Sequence, residues 1–162
     1  MGKIQEKREQ KMFVDFECDN LKKAIIKNYK EKIDSNFDGT EVTSEMMEKF
    51  DLLDLNESGI SSLKGIEYAK NVRHLYVAFN SISDVEPLKN CQNLEKLDFH
   101  KNNVVDIWPL EGLRRLEFLN ISNNGITDVM ALNDIANIDA INIKGNNIEN
   151  QLPLRHIRFV KK

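Results

Sequence analysis

A pattern of apolar residues recurs every 22 residues from Phe50 onward, with repeats that begin at Phe50, Val72, Leu94, Leu116 and Ile138. Seven positions of the repeat are apolar in all five copies, apart from Gln151. Position four reads Leu53, Leu75, Leu97, Leu119 and Ile141, and position six reads Leu55, Val77, Phe99, Ile121 and Ile143. Because only 41% of the 162 residues are hydrophobic, such columns indicate an internal structural repeat.

The spacing of the columns predicts the secondary structure of each repeat. Apolar residues at positions four and six alternate with polar residues at three and five, which is the pattern of a strand with one buried face. A strand that recurs once per repeat in one direction stacks into a parallel sheet. The sequence therefore predicts an α/β solenoid with a parallel sheet on its concave face and short 3₁₀ turns on its convex face.

Two polar positions fit this architecture. Position nine reads Ser58, Asn80, Asn102, Asn124 and Asn146, and an inward asparagine can bond the backbone groups left open where each strand ends. Asp84, Asp106 and Asp128 occupy position thirteen, and Pro87, Pro109 and Pro153 occupy position sixteen. Aspartate before a short apolar segment that starts with proline predicts a tight turn or one turn of 3₁₀ helix.

Residues 13–49 are predicted to form a helical cap, since a solenoid must hide the end of its core. Asp19 or Asn20 can cap a first helix, and Thr43 or Ser44 can cap a second, over residues 45–49. The predicted organisation is a charged tail at 1–12, the cap at 13–49, five repeats at 50–159 and a tail at 160–162.

Four stretches resemble the internalin family of bacterial leucine-rich-repeat proteins: residues 20–25 (NLKKAI), 42–43 (VT), 60–68 (ISSLKGIEY) and 80–88 (NSISDVEPL). The resemblance covers roughly residues 13–154. It implies a leucine-rich-repeat solenoid with an N-terminal cap derived from an EF-hand-like unit. It also implies a protein-binding role, commonly at the bacterial surface.

A calcium-binding loop is one interpretation of residues 34–45 (DSNFDGTEVTSE), which fit the EF-hand pattern. The metal ligands would be Asp34, Asn36, Asp38, the carbonyl of Thr40 and the carboxylate of Glu45. Glu41 stands where the pattern has an aliphatic residue, and the next residue, Val42, has no group for the metal. The alternative is a polar connector without metal, so the sequence predicts either no cofactor or one calcium ion.

The outward-facing strand positions line the concave surface, and large side chains gather there without a role in the repeat. The candidate partner-binding residues are His74, Tyr76, Phe79, Lys96, Asp98, His100, Phe118 and Asn120. Exposed aromatic residues surrounded by charge are typical of a protein-binding hot spot. Isolated exposed aromatics are also common on ordinary surfaces.

A second candidate patch lies at position fifteen, where Lys64 and Glu86 are followed by Trp108, Met130 and Leu152. Either a partner or the C-terminal tail could cover this stripe. The fifth strand also has no evident strand to follow it, since residues 159–162 look too short for that role. The tail, a partner or a second copy in a homodimer could cover that edge.

Several function classes lack support in the sequence. The formal charge of -3 and the absence of a basic stripe argue against nucleic-acid binding. No apolar run is long enough for membrane insertion. The charged N-terminus lacks a signal-peptide pattern, so the chain as written is predicted to be cytoplasmic, and cell-surface or secreted if a signal was removed. Cys91 falls on an inward position and is expected to be a buried, inert thiol.

No nucleophile–base pair or phosphate-binding glycine loop is evident, so catalysis is not predicted. The sequence favours a protein–protein interaction module that binds a macromolecular partner on the concave face. The alternative is a calcium-ordered structural or adhesion module of a bacterial surface protein.

Overall fold

The computed structural model describes residues 12–162, so the predicted N-terminal tail at 1–12 lies outside the described residues except for Met12. Two helices come first, α1 (Asp19–Lys32) and α2 (Ser44–Glu48). Six short strands follow, β1 (Leu52–Asp54), β2 (His74–Tyr76), β3 (Lys96–Asp98), β4 (Phe118–Asn120), β5 (Ala140–Asn142) and β6 (Phe159–Lys161). In the described chain, neither helix has the length and apolarity needed to cross a bilayer.

The strands form one parallel sheet in the order β1-β2-β3-β4-β5-β6. Their register joins the same repeat position in every strand, so that Leu53 pairs with Leu75 and Leu75 pairs with Leu97. One 3₁₀ turn follows each of the first five strands: Ile66–Tyr68, Glu86–Asn90, Trp108–Leu110, Met130–Leu132 and Leu152–Leu154. The predicted solenoid of strands and 3₁₀ turns is confirmed.

The repeat columns form one continuous core. The position-four residues of β1 to β4 are fully buried, and Ile141 of β5 is 2% exposed. Burial weakens only in the last repeat, where Ile148 and the polar Gln151 are partly exposed. Since each coil packs mainly on its neighbours, the stability of the protein depends on this stacking.

The predicted asparagine ladder links successive coils. Asn102 Nδ2 donates to the carbonyls of Phe99 in its own coil (2.9 Å) and Val77 in the preceding coil (3.0 Å). Its Oδ1 accepts from Ile82 N at 2.9 Å. Asn80, Asn124 and Asn146 bond in the same way. Each carboxamide thus satisfies buried backbone groups of two coils.

The predicted aspartates at position thirteen begin the 3₁₀ turns. Oδ1 of Asp84, Asp106 and Asp128 accepts from the backbone N–H two residues later at 2.8 Å. Asn150 makes the same contact in the last repeat at 3.1 Å. These bonds fix the first residue of the last four turns, which is position fifteen of the repeat.

The cap covers the N-terminal end of the core. Leu21, Ile25 and Tyr29 of α1 are buried, and Asn28 Nδ2 donates to Asp54 O at 3.0 Å. Thr43 caps α2 as predicted, accepting from Met46 N at 3.3 Å. The prediction that Asp19 or Asn20 caps α1 is wrong, because the N-cap residue is Cys18. The Asn20 side chain instead donates to Gly59 O at 2.8 Å and ties the cap to the first repeat.

The C-terminal residues form a sixth strand, which the sequence analysis took to be too short to cover β5. Val160 pairs with Ile141, only 19 residues earlier, so the final coil is three residues shorter than the others. The chain passes from buried Ile157 into β6 within two residues. The tail therefore covers the edge of β5. Homodimerisation stays a prediction, and β6 is the edge that a second copy would meet.

Both cysteines are free and buried. Burial raises the pKa of the Cys91 thiol to about 12, as expected for an inert core residue. Burial also opposes ionisation of Cys18, but hydrogen bonds from the backbone of Ser61 and Leu21 and from the Ser61 hydroxyl outweigh it and lower its pKa to about 7. The expected burial of Cys91 is confirmed.

We expect Asn102→Ala to lower the free energy of unfolding by about 3 kcal/mol, because it leaves buried backbone groups of two coils without partners. Asn103→Ala is the matched control, since Asn103 is the exposed neighbour and its loss should change stability by less than about 0.5 kcal/mol. Urea unfolding monitored by circular dichroism measures both. Equal stability of the two variants would contradict the role of the ladder.

Candidate functional site

The eight candidate partner-binding residues lie on the outer face of the sheet or at its carboxyl end. His74, Lys96 and Phe118 are aligned across β2, β3 and β4, and so are Tyr76, Asp98 and Asn120. Phe79 and His100 follow β2 and β3. In each of these strands the central leucine is buried while its neighbours are not. The structure therefore places all eight side chains on one surface, which we call the concave face.

Tyr76 departs from the pattern that ends the other strands. Position five elsewhere holds Asp54, Asp98, Asn120 or Asn142, and each of these accepts from the backbone N–H two residues later. A tyrosine cannot reach that group. The corresponding N–H, of Ala78, instead donates to Asn56 of the preceding coil at 2.7 Å. The coil of Tyr76 therefore lacks the local hydrogen bond that ends the other strands, and Asn56 of the preceding coil supplies the acceptor instead.

Phe79 occupies position eight, where the chain bends away at the end of each strand. The five residues at this position, Glu57, Phe79, Lys101, Asn123 and Gly145, all have a positive φ. Glycine and asparagine adopt this conformation readily, but a bulky side chain does so at a cost of about 1 kcal/mol or more. Phe79 has a φ of 56° and is 44% exposed. The fold therefore gains little from a phenylalanine at this position.

Phe79 is the centre of a small cluster at the ends of β2 and β3. Its ring meets the His100 ring edge-on at a centroid distance of 4.8 Å. Lys101 Nζ lies 4.4 Å from the centroid of the Phe79 ring. Such cation–π and aromatic contacts hold an exposed ring in one orientation. The cluster offers a fixed aromatic edge beside a positive charge.

A polar network adjoins this cluster. Asp98 Oδ1 lies 2.7 Å from His100 Nδ1, and Asp98 Oδ2 accepts from Asn120 Nδ2 at 3.0 Å. Asn120 Oδ1 in turn accepts from Ser122 Oγ at 2.8 Å. The contact between Asp98 and His100 orients the imidazole ring. The sequence pattern does not predict this pair, because it assigns residues to faces and does not describe contacts between residues two places apart after a strand.

His74 lies beside an ion pair. Arg73 makes two hydrogen bonds to the Glu95 carboxylate, both 2.8 Å long. These bonds hold the pKa of Glu95 below its usual range. His74 Nε2 is 3.9 Å from the same carboxylate. This part of the surface therefore carries a positive charge on Arg73 and a negative charge on Glu95.

Phe118 lines a groove at the C-terminal end of the concave face. Ala140, Asn142, Arg158, Phe159 and Lys161 also line it. Phe159 is 56% exposed, and Arg158 lies over its ring at 5.1 Å. Sequence analysis missed Phe159 and Arg158 because a strict 22-residue period does not align β6. Allowing a shorter final coil would have placed Val160 in the buried column and Phe159 on the concave face.

The second predicted patch lies on the opposite side of the coils. Trp108, Met130 and Leu152 are the first residues of three successive 3₁₀ turns. They are 50%, 44% and 67% exposed. The C-terminal tail pairs with β5, and the three side chains remain exposed with it in place.

The predicted calcium loop lies between α1 and α2. Asp34 Oδ1 accepts from Asn36 N at 3.0 Å. Gly39, which makes the sharp turn of an EF-hand loop, does not have a positive φ and packs against the Phe37 ring. Val42 is buried and accepts from Val14 N at 2.9 Å. Among residues 12–162, no three acidic, histidine or cysteine side chains come together as a metal site. Calcium binding by Asp34, Asn36, Asp38, Thr40 and Glu45 stays a prediction.

Comparison with known proteins supports the leucine-rich-repeat fold. A leucine-rich-repeat family model of two repeat copies matches residues 70–115. An internalin of Listeria monocytogenes superposes with a TM-score of 0.78 and 25% identity, covering 87% of this chain. A leucine-rich-repeat protein of Leptospira interrogans superposes with a TM-score of 0.65 and 18% identity, covering 70% of this chain. Curated protein sequences give no match.

The chain has a leucine-rich-repeat fold similar to that of the internalins. It corresponds to 42% of the Listeria internalin and 32% of the Leptospira protein. Leucine-rich-repeat proteins generally mediate protein–protein interaction, and folds of this kind are typically binding modules rather than enzymes. A fold does not determine where a partner binds, so the residues that could bind one are identified from the surface of this chain.

We expect Phe79→Asn to leave the free energy of unfolding unchanged or to raise it by up to about 1 kcal/mol, because asparagine tolerates the positive φ. Asn123 occupies the same position with a φ of 53°. The matched comparison is Phe99→Ala, which truncates a fully buried ring and should cost about 3–5 kcal/mol. Urea unfolding measures both. A loss above about 1 kcal/mol in Phe79→Asn would give this ring a structural role.

We expect millimolar calcium to leave the thermal midpoint unchanged, because the loop does not bring its carboxylates together. A ligand that binds the native state would raise the midpoint. Differential scanning calorimetry with calcium and with a chelator makes the comparison, and Glu45→Gln is the control. A calcium-dependent rise that Glu45→Gln abolishes would restore the calcium site.

Proposed function

We propose that this protein is a protein–protein interaction module that binds its partner on the concave face. The observation that carries the proposal is the pair of departures at Tyr76 and Phe79. Position five elsewhere holds Asp or Asn, whose side chain caps the strand end, and a tyrosine cannot do so. At position eight the positive φ suits asparagine or glycine better than an aromatic residue. Residues that a fold does not favour, placed together on one open surface, are best explained by binding.

The chemistry of the surroundings supports the same surface. Phe79 is fixed by His100 and Lys101, so little side-chain entropy is lost when a partner covers it. Lys96, exposed between His74 and Phe118, adds a charge next to the aromatic groups. Aromatic anchors inside a charged rim are the usual composition of a binding hot spot.

The concave face offers two aromatic anchors to a partner. One is the Phe79 cluster at the carboxyl ends of β2 and β3, and the other is the groove of Phe118 and Phe159 at β4 to β6. A partner that contacted both would span most of the sheet. A folded protein domain or an extended loop of one fits this dimension better than a small ligand does.

The calcium-ordered adhesion module rests on the EF-hand pattern of residues 34–45. It stays a prediction for the calorimetric experiment above. A location at a bacterial surface likewise rests on the resemblance alone.

The test is capture of partners by the wild-type protein and by a triple variant, Tyr76→Asn, Phe79→Asn and Phe118→Ala. The first two changes install residues that the repeat itself uses, so the variant should fold. We expect proteins that the wild type retains from lysate to be lost, by at least about tenfold, from the variant. Quantitative mass spectrometry of the retained proteins measures this.

The control for capture is Met130→Gln with Leu152→Gln, which leaves the concave face intact. It should retain the proteins that the triple variant loses. If the triple variant also retains them at wild-type levels, the concave face is not the binding surface.

A further inference from the structure

The stripe of Trp108, Met130 and Leu152 lies outside the concave face and has no role in the proposed function. The fold does not require apolar residues at this position. Lys64 and Glu86 occupy it in the first two repeats and are exposed there. Three large apolar side chains in successive coils, each about half exposed or more, form a continuous row on the turns. Such a row is a mark of an interaction surface.

The charges beside the stripe are mostly negative. The turns and their flanks, residues 105–112, 127–134 and 149–156, contain five exposed acidic side chains and one exposed arginine. The acidic residues are Asp106, Glu111, Asp128, Asp134 and Glu149, and the arginine is Arg155. Within the described residues, none of the five carboxylates forms an ion pair. The stripe therefore combines apolar contact with uncompensated negative charge.

Two of these carboxylates are held in place beside the stripe. Asp106 Oδ1 accepts from Trp108 N, and Asp128 Oδ1 accepts from Met130 N, both at 2.8 Å. Each carboxylate is fixed two residues before an exposed apolar side chain. These two carboxylates thus lie beside the apolar row, one in each of two successive coils.

That period matches an α-helix. Neighbouring parallel strands lie about 4.8 Å apart, and turns on the outer side of a curved stack are spaced at least as widely, so two coil steps span roughly 10 Å or slightly more. In a helix, residues i and i+7 lie about 10.5 Å apart along the axis, with i+3 or i+4 between them on the same face. One apolar face of a helix can therefore contact all three residues of the stripe. Basic residues on either side of that face would meet the carboxylates.

We propose that the stripe is a second docking surface and that it binds a basic amphipathic helix of a partner protein. The charge distinguishes this occupant from two others. A second copy of the chain would bring like charges together, and anionic lipid would be repelled by the same carboxylates. The proposal does not rest on the concave face, which lies on the other side of the coils.

Trp108 makes the proposal directly testable, because it is the only tryptophan in the chain and lies in the stripe. The probe is a synthetic peptide of leucine, lysine and alanine about 18 residues long, with leucines at i, i+4, i+7 and i+11. A matched peptide has the same composition with the leucines spread around the helix. Trp108 emission is recorded while each peptide is titrated into the full chain.

We expect the amphipathic peptide to shift Trp108 emission to shorter wavelength with saturation, since docking removes the indole from water. The matched peptide should bind at least about tenfold more weakly. Met130→Gln with Leu152→Gln should weaken binding by a similar factor while keeping its circular dichroism spectrum. Raising the salt from about 50 to 300 mM should weaken binding severalfold, because the flanking charges are exposed.

Three results would overturn the proposal. One is the absence of a shift up to about 1 mM peptide, and another is equal binding of the two peptides or of the glutamine variant. The third is a shift that appears only with vesicles of phosphatidylcholine and phosphatidylglycerol, or only on concentrating the protein, which would identify a lipid or a second copy as the occupant. Tyr76→Asn with Phe79→Asn should bind the peptide like the wild type, so this outcome is independent of the concave face.

Discussion

The hydrogen bonds of the asparagine ladder are the interaction on which the rest of the structure depends. Each coil is too short to satisfy its own backbone where the strand ends, and a buried unpaired amide is costly. Asn80, Asn102, Asn124 and Asn146 solve this by bonding two coils at once. The same bonds fix the register in which the leucine columns meet. Packing and polar satisfaction therefore require one and the same stacking of the coils.

Because position nine and the apolar columns hold the coils together, the remaining positions are free to vary. Two rows of positions vary in this way, the outer face of the sheet and position fifteen of the repeat, beside the 3₁₀ turns. Tyr76 shows how far this freedom extends. Its coil loses the usual cap at the end of the strand, and Asn56 of the neighbouring coil supplies the missing acceptor. A departure that the neighbouring coil compensates can persist without loss of the fold.

The sequence was sufficient to predict the solenoid, its register and the faces on which residues such as Tyr76 and Trp108 lie, because all of these follow from one period. It was insufficient where the period breaks. β6 follows a coil three residues shorter, so Phe159 was assigned to the end of the last repeat and Arg158 was missed. The cap of α1 was misassigned because Asn20 bonds Gly59, a contact across 39 residues. The contact of His100 with Asp98 depends on the bend after β3, which a pattern of faces does not describe.

The two candidate surfaces differ in the physical signal that marks them. On the concave face the signal is a residue type that does not suit its backbone conformation, since the positive φ of Phe79 favours asparagine or glycine. On the turns there is no conflict, because position fifteen accepts Lys64 and Glu86 as readily as Trp108. The signal there is an apolar row that continues through three coils while the charge beside it is mostly negative. A single exposed leucine needs no explanation. Exposed apolar residues that recur at the same position in successive coils differ, because their spacing matches one face of a partner helix.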